Sequence, residues 1–523
     1  MSPTAGVLAV LAVSLVTLAI GSFGLRISRT TSDFYVASRS VGPVVNASAI
    51  GGEYLSAASF LGVAGLILAR GGAMLWYPVG WTAGYLVLLV LVAAPLRRSG
   101  AYTLPDFAHL RLESLRVRRL ASSLVVLIGV LYLIPQFQGA GITLHTLTGA
   151  GRWVGAAVVA GIVLVNVVSG GMRSITLVQA FQYWLKLTAL LVPLCVFLVV
   201  WRRDGSPGTG RLSAADWVGP LSGNHALYTT YSLILATFLG TMGLPHVVVR
   251  FYTNPDGRAA RRTTVVVLGL LSCFYVLPPL YGVLGRVYAP DLVASHRTDS
   301  VVLELPNRIL QGPVADLLTG VLGAGAFAAF LSTSSGLVVS IAGVVSQDLL
   351  SRHGDGVRAF RTASALAALL TLGLTLASSG IAVANAVELA FAVAASTFCP
   401  LLVLGIWWRG LTARGAGAGL VVGGTLAGGA VILTLFGVSA HGWWGVLLAQ
   451  PAAWTVPLAF ATMIGGSLAT RAHLPVNLSR TMVRLHTPEH LDLDRGTYDP
   501  ERSDRSSSRS TAQRTRVDRT AQV

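Results

Sequence analysis

Pro43 to Leu68 read PVVNASAIGGEYLSAASFLGVAGLIL, an apolar stretch with a polar break, Gly51-Gly52-Glu53-Tyr54-Leu55-Ser56, at its middle. About 20 apolar residues cross a bilayer as a helix. Within hydrocarbon, freed backbone groups and a carboxylate are tolerated only where they face protein or a watered cavity. A span broken at mid-depth therefore points to a solute and ion site of the kind built by secondary transporters.

Composition agrees with a membrane setting. Of 523 residues, 53% are hydrophobic and 11% charged, whereas a soluble domain carries about a quarter charged residues. The net charge of +17 comes from one lysine, Lys186, and 37 arginines set against 21 acidic residues. With so apolar a chain this basic balance is not read as a nucleic-acid surface, and no obligate protein partner is inferred. Cys195, Cys273 and Cys399 are separated and lie in apolar runs, which argues against a disulfide framework or a metal site. No metal-ligand spacing, nucleophile elbow or phosphate-cradling loop stands at a span end, so an enzyme is not expected. The first apolar run, Ala5 to Leu25, lacks a basic start and is read as a retained span.

The hydropathy pattern predicts an all-α polytopic membrane protein with thirteen spans, at 5–25, 43–68, 73–95, 120–145, 152–169, 175–201, 226–246, 263–285, 313–347, 360–378, 382–408, 415–437 and 451–470. With an external N-terminus, 19 arginines fall in inner loops, eight in outer loops and ten in the tail. That bias places the C-terminus in the cytoplasm of a multi-pass cell-membrane protein. The membrane domain covers 1–472. Residues 473–523 read as a basic tail too polar to fold.

Glu53, Lys186 and Glu388 fall inside spans, at about 2.5–3.5 kcal/mol each if left unpaired at mid-depth. Lys186 lies near mid-span, with Gln179 and Gln182 on the same helical face. Its ammonium has three open roles: neutralising Glu53, holding a substrate carboxylate, or standing in for a bound cation. A structural ion pair locking two helices is the plainer alternative. Glu388, near Asn385, is shallower and within reach of outer water. The run Phe330-Leu331-Ser332-Thr333-Ser334-Ser335-Gly336 interrupts another span. Its hydroxyls either bond their own helix or complete an oxygen shell with carbonyls freed at the first break. A second break, Gly240 to Pro245, precedes His246 and Arg250. Five spans separate the starts of the two broken segments, which fits an inverted repeat of five plus five helices: repeat one about 43–201, repeat two about 226–408, then two extra spans over 415–470.

These residues resemble the sodium/solute symporter family, and within it the acetate permease and monocarboxylate branch. The matching stretches are Asp33-Phe34-Tyr35-Val36-Ala37-Ser38-Arg39, Gly52 to Gly62, Gly171-Met172, Gly243-Leu244-Pro245-His246 with Arg250-Phe251, Phe330 to Ser334, and Trp408-Arg409-Gly410. The resemblance implies a LeuT-like core and Na⁺-coupled symport. By position the Na⁺ ligands would be the carbonyls of Gly52, Leu55 and Ala329 and the hydroxyls of Ser332 and Thr333. Some relatives have an aspartate where this chain has Gln179, and in other transporters of this architecture a lysine takes the cation's place, so H⁺ is the alternative coupling ion. The expected substrate is a short monocarboxylate such as acetate or pyruvate, with Glu53, Tyr54, Ser56, Gln136, Gln138, Gln182 and Lys186 as candidate contacts. An amino acid or sugar as solute, and a non-transporting sensor, are the competing readings.

Overall fold

The computed structural model describes residues 3–25, 41–208, 225–348, 356–378, 382–435, 442–489 and 491. Among them the regular structure is entirely helical. Helix α1 covers Pro3–Leu25 and α2 covers Pro43–Tyr54. A single π turn at Ala58–Gly62 leads into α3, Val63–Arg70. Next come α4 (Trp76–Val87), α5 (Ala93–Ser99), α6 (Leu104–Leu112), α7 (Leu115–Thr148) and α8 (Arg152–Arg203). The second half holds α9 (Ala226–Gly243), α10 (Pro245–Val249), α11 (Gly257–Tyr275), α12 (Leu277–Tyr288), α13 (Asp291–Ala294) and α14 (Val301–Ile309). It continues with α15 (Pro313–Asp348), α16 (Gly356–Ala377), α17 (Val383–Trp407), α18 (Ala413–Leu435), α19 (Gly442–Ala449), α20 (Ala452–Ala469) and α21 (Leu478–His486).

Eleven of the described helices are long and apolar enough to cross a membrane, and twelve if the bent pair α2 and α3 counts as one span. Helix α1 is 23 residues long and holds a further apolar stretch, Gly6–Ser22, so the described residues give eleven or twelve of the thirteen expected spans by this measure. Helix α8 covers both the fifth and sixth expected spans, which count separately as Arg152–Ser169 and Met172–Arg203. The stretch expected to be interrupted at Ser332–Gly336 is a continuous 36-residue helix, α15. Ser332 bonds back to the Ala329 carbonyl at 3.0 Å and Thr333 bonds outward to the Glu53 carbonyl, while the Ser334 hydroxyl is buried without a partner.

Both expected breaks are present, and both turn on a leucine. The pair α2 and α3 bends by 69°. At the joint Leu55 leaves the helical region, with φ −73° and ψ 85°. Leu244, at φ −71° and ψ 117°, separates α9 from α10, and Pro245 then opens the new helix. Close approach demands glycine at each joint. A Cβ on Gly52 would stand 2.1 Å from the Gln179 carbonyl oxygen, and one on Gly243 would stand 2.3 Å from that of Ala394. Helices α8 and α15 pack on α2, while α17 packs on α9, so each broken helix leans on unbroken ones.

The expectation of an unfolded tail from residue 473 needs correction at its start. Met482 and Leu485 give α21 a buried apolar edge, enough to seat one short helix on α5 and α6. Arg484 donates to the Arg98 carbonyl, and Glu489 accepts from the Gly257 amide at 2.8 Å. Residues 492–523 lie outside the described part, as does the motif Asp33 to Arg39.

Candidate functional site

Unwinding α2 at Leu55 frees backbone groups that no water reaches, and each must find a partner. Lys186 Nζ donates to the Gly52 carbonyl, to the Leu55 carbonyl at 2.7 Å and to Ser332 Oγ at 3.0 Å. Thr333 Oγ1 donates to the Glu53 carbonyl at 2.5 Å. Gln136 on α7 accepts from the Ala57 amide at 3.0 Å, capping the far side of the break. A lone ammonium carries three donors and no acceptor, and here all three are used on oxygens. Lys186 Nζ thus bonds backbone and hydroxyl oxygens at the break rather than the Glu53 carboxylate.

Three of the five oxygens expected to ligate Na⁺, those of Gly52, Leu55 and Ser332, thus converge on Lys186 Nζ. The Ala329 carbonyl is one hydrogen bond away through Ser332, while Thr333 turns to Glu53. The structure brings the broken helix, α8 and α15 together at this point.

Glu53 takes Arg250 as its partner rather than Lys186. Arg250 Nε donates to Glu53 Oε2 at 2.6 Å, with both side chains no more than 2% exposed. Arg250 also donates to Thr176 Oγ1 at 2.8 Å and to the Gln179 side-chain oxygen. Gln179 in turn donates to the Ser332 carbonyl at 2.7 Å. One buried network therefore joins α2, α8, α15 and the turn after α10. A neutral glutamine suits this place, since it accepts from Arg250 and donates to Ser332 at once.

Arg250 and Arg111, counted as inner-loop charges from sequence, are buried inside the protein. Arg111 donates to the Gly405 and Trp408 carbonyls at 2.8 and 3.0 Å. Glu388 also departs from expectation. It is 3% exposed rather than open to outer water, and the Tyr77 hydroxyl faces it and the Asn385 amide oxygen.

The remaining expected substrate contacts are dispersed. Tyr54 bonds Thr241 Oγ1 at 2.8 Å, and Gln182 donates to Thr17 on α1 at 3.2 Å. Gln138 donates to Ser378 at 2.9 Å on the wall of a separate cavity of about 730 Å³ that also holds Arg70 and Arg152. Ser56 lies buried at the break, facing the Tyr132 hydroxyl. Sequence reasoning overlooked the aromatic ring cluster beside it: Tyr54, Trp81, Tyr85, Tyr132 and Phe391. Trp81 and Tyr85 sit four residues apart on an apolar span, where a polar-edged pair is a readable but weak signal.

The twin breaks and the cation cradle define a solute carrier of the LeuT-like fold. A Na⁺-coupled sialic acid symporter in a substrate-bound outward-open state superimposes with a TM-score of 0.67 at 13% identity, covering 89% of this chain and 97% of that one. A nucleobase-cation-symport-1 family transporter, closed with bromovinylhydantoin bound, gives 0.55 at 14% identity over 87% and 99%. The chain belongs to the sodium:solute symporter family, whose model matches residues 34–423. It is 31% identical over 515 residues to an uncharacterized symporter, YwcA, of Bacillus subtilis (strain 168), spanning 92% of this chain and 98% of that protein. It is therefore a membrane-embedded transporter of a small solute and not an enzyme.

Proposed function

We propose that this symporter carries a short monocarboxylate of the acetate or pyruvate kind by alternating access, coupled to a cation that acts at the cradle. The observation that supports the reading is the meeting of the Gly52, Leu55 and Ser332 oxygens around the Lys186 nitrogen at the break. Na⁺ is the coupling ion in the first reading, supported by family membership and by the fold shared with a Na⁺-coupled symporter. Bound there by Gly52, Leu55, Ala329, Ser332 and Thr333, Na⁺ would require the Lys186 ammonium to withdraw. Two unit charges a few ångströms apart in a dry interior repel too strongly to share the site.

A second reading rests on the ammonium itself. Lys186 already bonds the oxygens that a small cation would use, so H⁺ can drive transport with no metal ion in the cradle. The cell membrane, an external N-terminus and a cytoplasmic C-terminus complete the proposal, supported by the arginine distribution.

Proteoliposomes loaded against imposed Na⁺ or pH gradients test it, with labelled acetate and pyruvate competed by an amino acid and a sugar. Uptake that follows the Na⁺ gradient at equal pH favours the first reading. Uptake that follows the pH gradient without Na⁺ favours the second. Failure to move any short monocarboxylate under either gradient overturns the carboxylate assignment.

A further inference from the structure

The two buried cations nearest the break are both engaged within the protein. Lys186 spends its three on Gly52, Leu55 and Ser332, and Arg250 donates to Glu53, Thr176 and Gln179. Neutral groups nearby are not so engaged. Three are at hand: Trp81 Nε1, the Tyr85 hydroxyl and the His246 ring nitrogens are all buried and all lack a hydrogen-bond partner.

Such groups are rare in a native interior, and each calls for an explanation, an absent ligand among them. They also lie together. Trp81 and Tyr85 occupy successive turns of one face of α4, and His246 opens α10 directly after the second break. Phe391 on α17 links them: its ring lies 5.9 Å from that of Trp81 and 5.7 Å from that of Tyr132, which stands 5.1 Å from His246. Tyr54, the last helical residue before the first break, stacks edge-on with Tyr85 at 4.8 Å and touches Phe391 at 6.3 Å. The unpartnered groups are therefore linked through the rings of Tyr54, Tyr132 and Phe391, beside both breaks.

All three can donate. An indole N–H only donates, a tyrosine hydroxyl and an imidazole can each donate, and an ionised carboxylate only accepts, at about four lone-pair sites. We propose that Trp81, Tyr85 and His246 form the carboxylate-reading site of this carrier, with Phe391 beside the solute's alkyl end. This rests on the monocarboxylate reading above and adds the residues that enforce it. At Trp81, whose indole can only donate, a carboxylate oxygen finds a partner and an ammonium does not.

Trp81→Phe and Tyr85→Phe each remove one donor and keep the ring. Pyruvate uptake kinetics in proteoliposomes at a fixed driving force, with pyruvamide as an uncharged competitor, test the assignment. Each variant is expected to raise the pyruvate KM by about tenfold or more, as for loss of a hydrogen bond to a charged group. Each should also narrow the preference for pyruvate over pyruvamide, which a packing defect alone would not do. Fluorescence-detected melting checks assembly, and if Trp81→Phe does not assemble, Tyr85→Phe decides. Wild-type protein that moves no short monocarboxylate defeats the functional reading itself. Wild-type uptake with KM and amide discrimination unchanged in the assembled variants overturns this inference alone.

Discussion

Lys186 Nζ stands 2.7 Å from the Leu55 carbonyl oxygen, so the ammonium of one unbroken helix closes the gap left by unwinding another. Replacing it by methionine keeps the stem and strips three donors from the cradle, leaving the Gly52 and Leu55 carbonyls bare. Uptake by Lys186→Met is expected to fall at least tenfold. Lys186→Arg should not rescue it, because a planar guanidinium cannot aim its donors as a point ammonium does. The opened cradle should also accept a small cation, so added Na⁺ should raise the melting temperature of Lys186→Met more than that of wild type. A variant with full uptake and no new response to Na⁺ would remove the cradle from the mechanism.

Two glycines at the site admit no side chain. A Cβ on Gly52 would meet the Gln179 carbonyl oxygen at 2.1 Å, and one on Gly336 would meet Glu53 Oε1 at 1.9 Å. Backbone oxygen cannot swing away, so Gly52→Ala is expected to cost the full overpacking penalty, about 1–3 kcal/mol or more. Gly336→Ala can be relieved only by moving the Glu53 carboxylate off Arg250. Gly269→Ala, with nothing within 4 Å of its Cβ, serves as the neutral control. Melting curves for the three variants check the order, and an unshifted Gly52→Ala would contradict the close approach of α2 to α8.

The Glu53–Arg250 pair is sealed from solvent on both sides. Removing one partner leaves an uncompensated buried charge or a set of orphaned donors, typically worth about 3–5 kcal/mol. Glu53→Gln and Arg250→Gln should each lower stability by about that much, and the double variant by less than their sum. Chemical unfolding in mixed micelles, arranged as a double-mutant cycle, measures the coupling. Strict additivity would mean that the two side chains do not support one another.

The first break was legible because Gly51-Gly52 and Ser56 are small or polar where a span needs apolar bulk. The second was marked by Gly243 and Pro245. The partners across the site were not legible. Lys186 and Glu53 fall at similar depth, and nothing in a linear chain says that the ammonium will take carbonyls while the carboxylate takes an arginine 197 residues on. Arg250 misled for a definite reason. Helix α10 has only five residues, so the chain turns back before leaving the protein and keeps inside a charge that depth counting puts in a loop. The start of the tail was misread likewise: two apolar residues suffice for a nine-residue helix when a docking surface is already present.

Asp299 supplies a pH test outside the membrane spans. It lies in the short connection between α13 and α14, where Oδ2 accepts from the Val383 amide at the start of α17 at 3.1 Å and Oδ1 has no partner. Burial raises its carboxyl from 3.8 to about 6, the Val383 bond opposing the shift. The folded state therefore holds this proton more tightly than the unfolded chain does. By linkage, the group's favourable contribution is complete below pH 3.8 and is lost as pH rises through about 6. Asp299→Asn keeps an acceptor for Val383 and cannot ionise, so it should be more stable than wild type at pH 7 and lose that advantage towards pH 4. Melting temperatures of the two proteins across this range decide it: parallel curves would mean that Asp299 titrates as an exposed carboxylate.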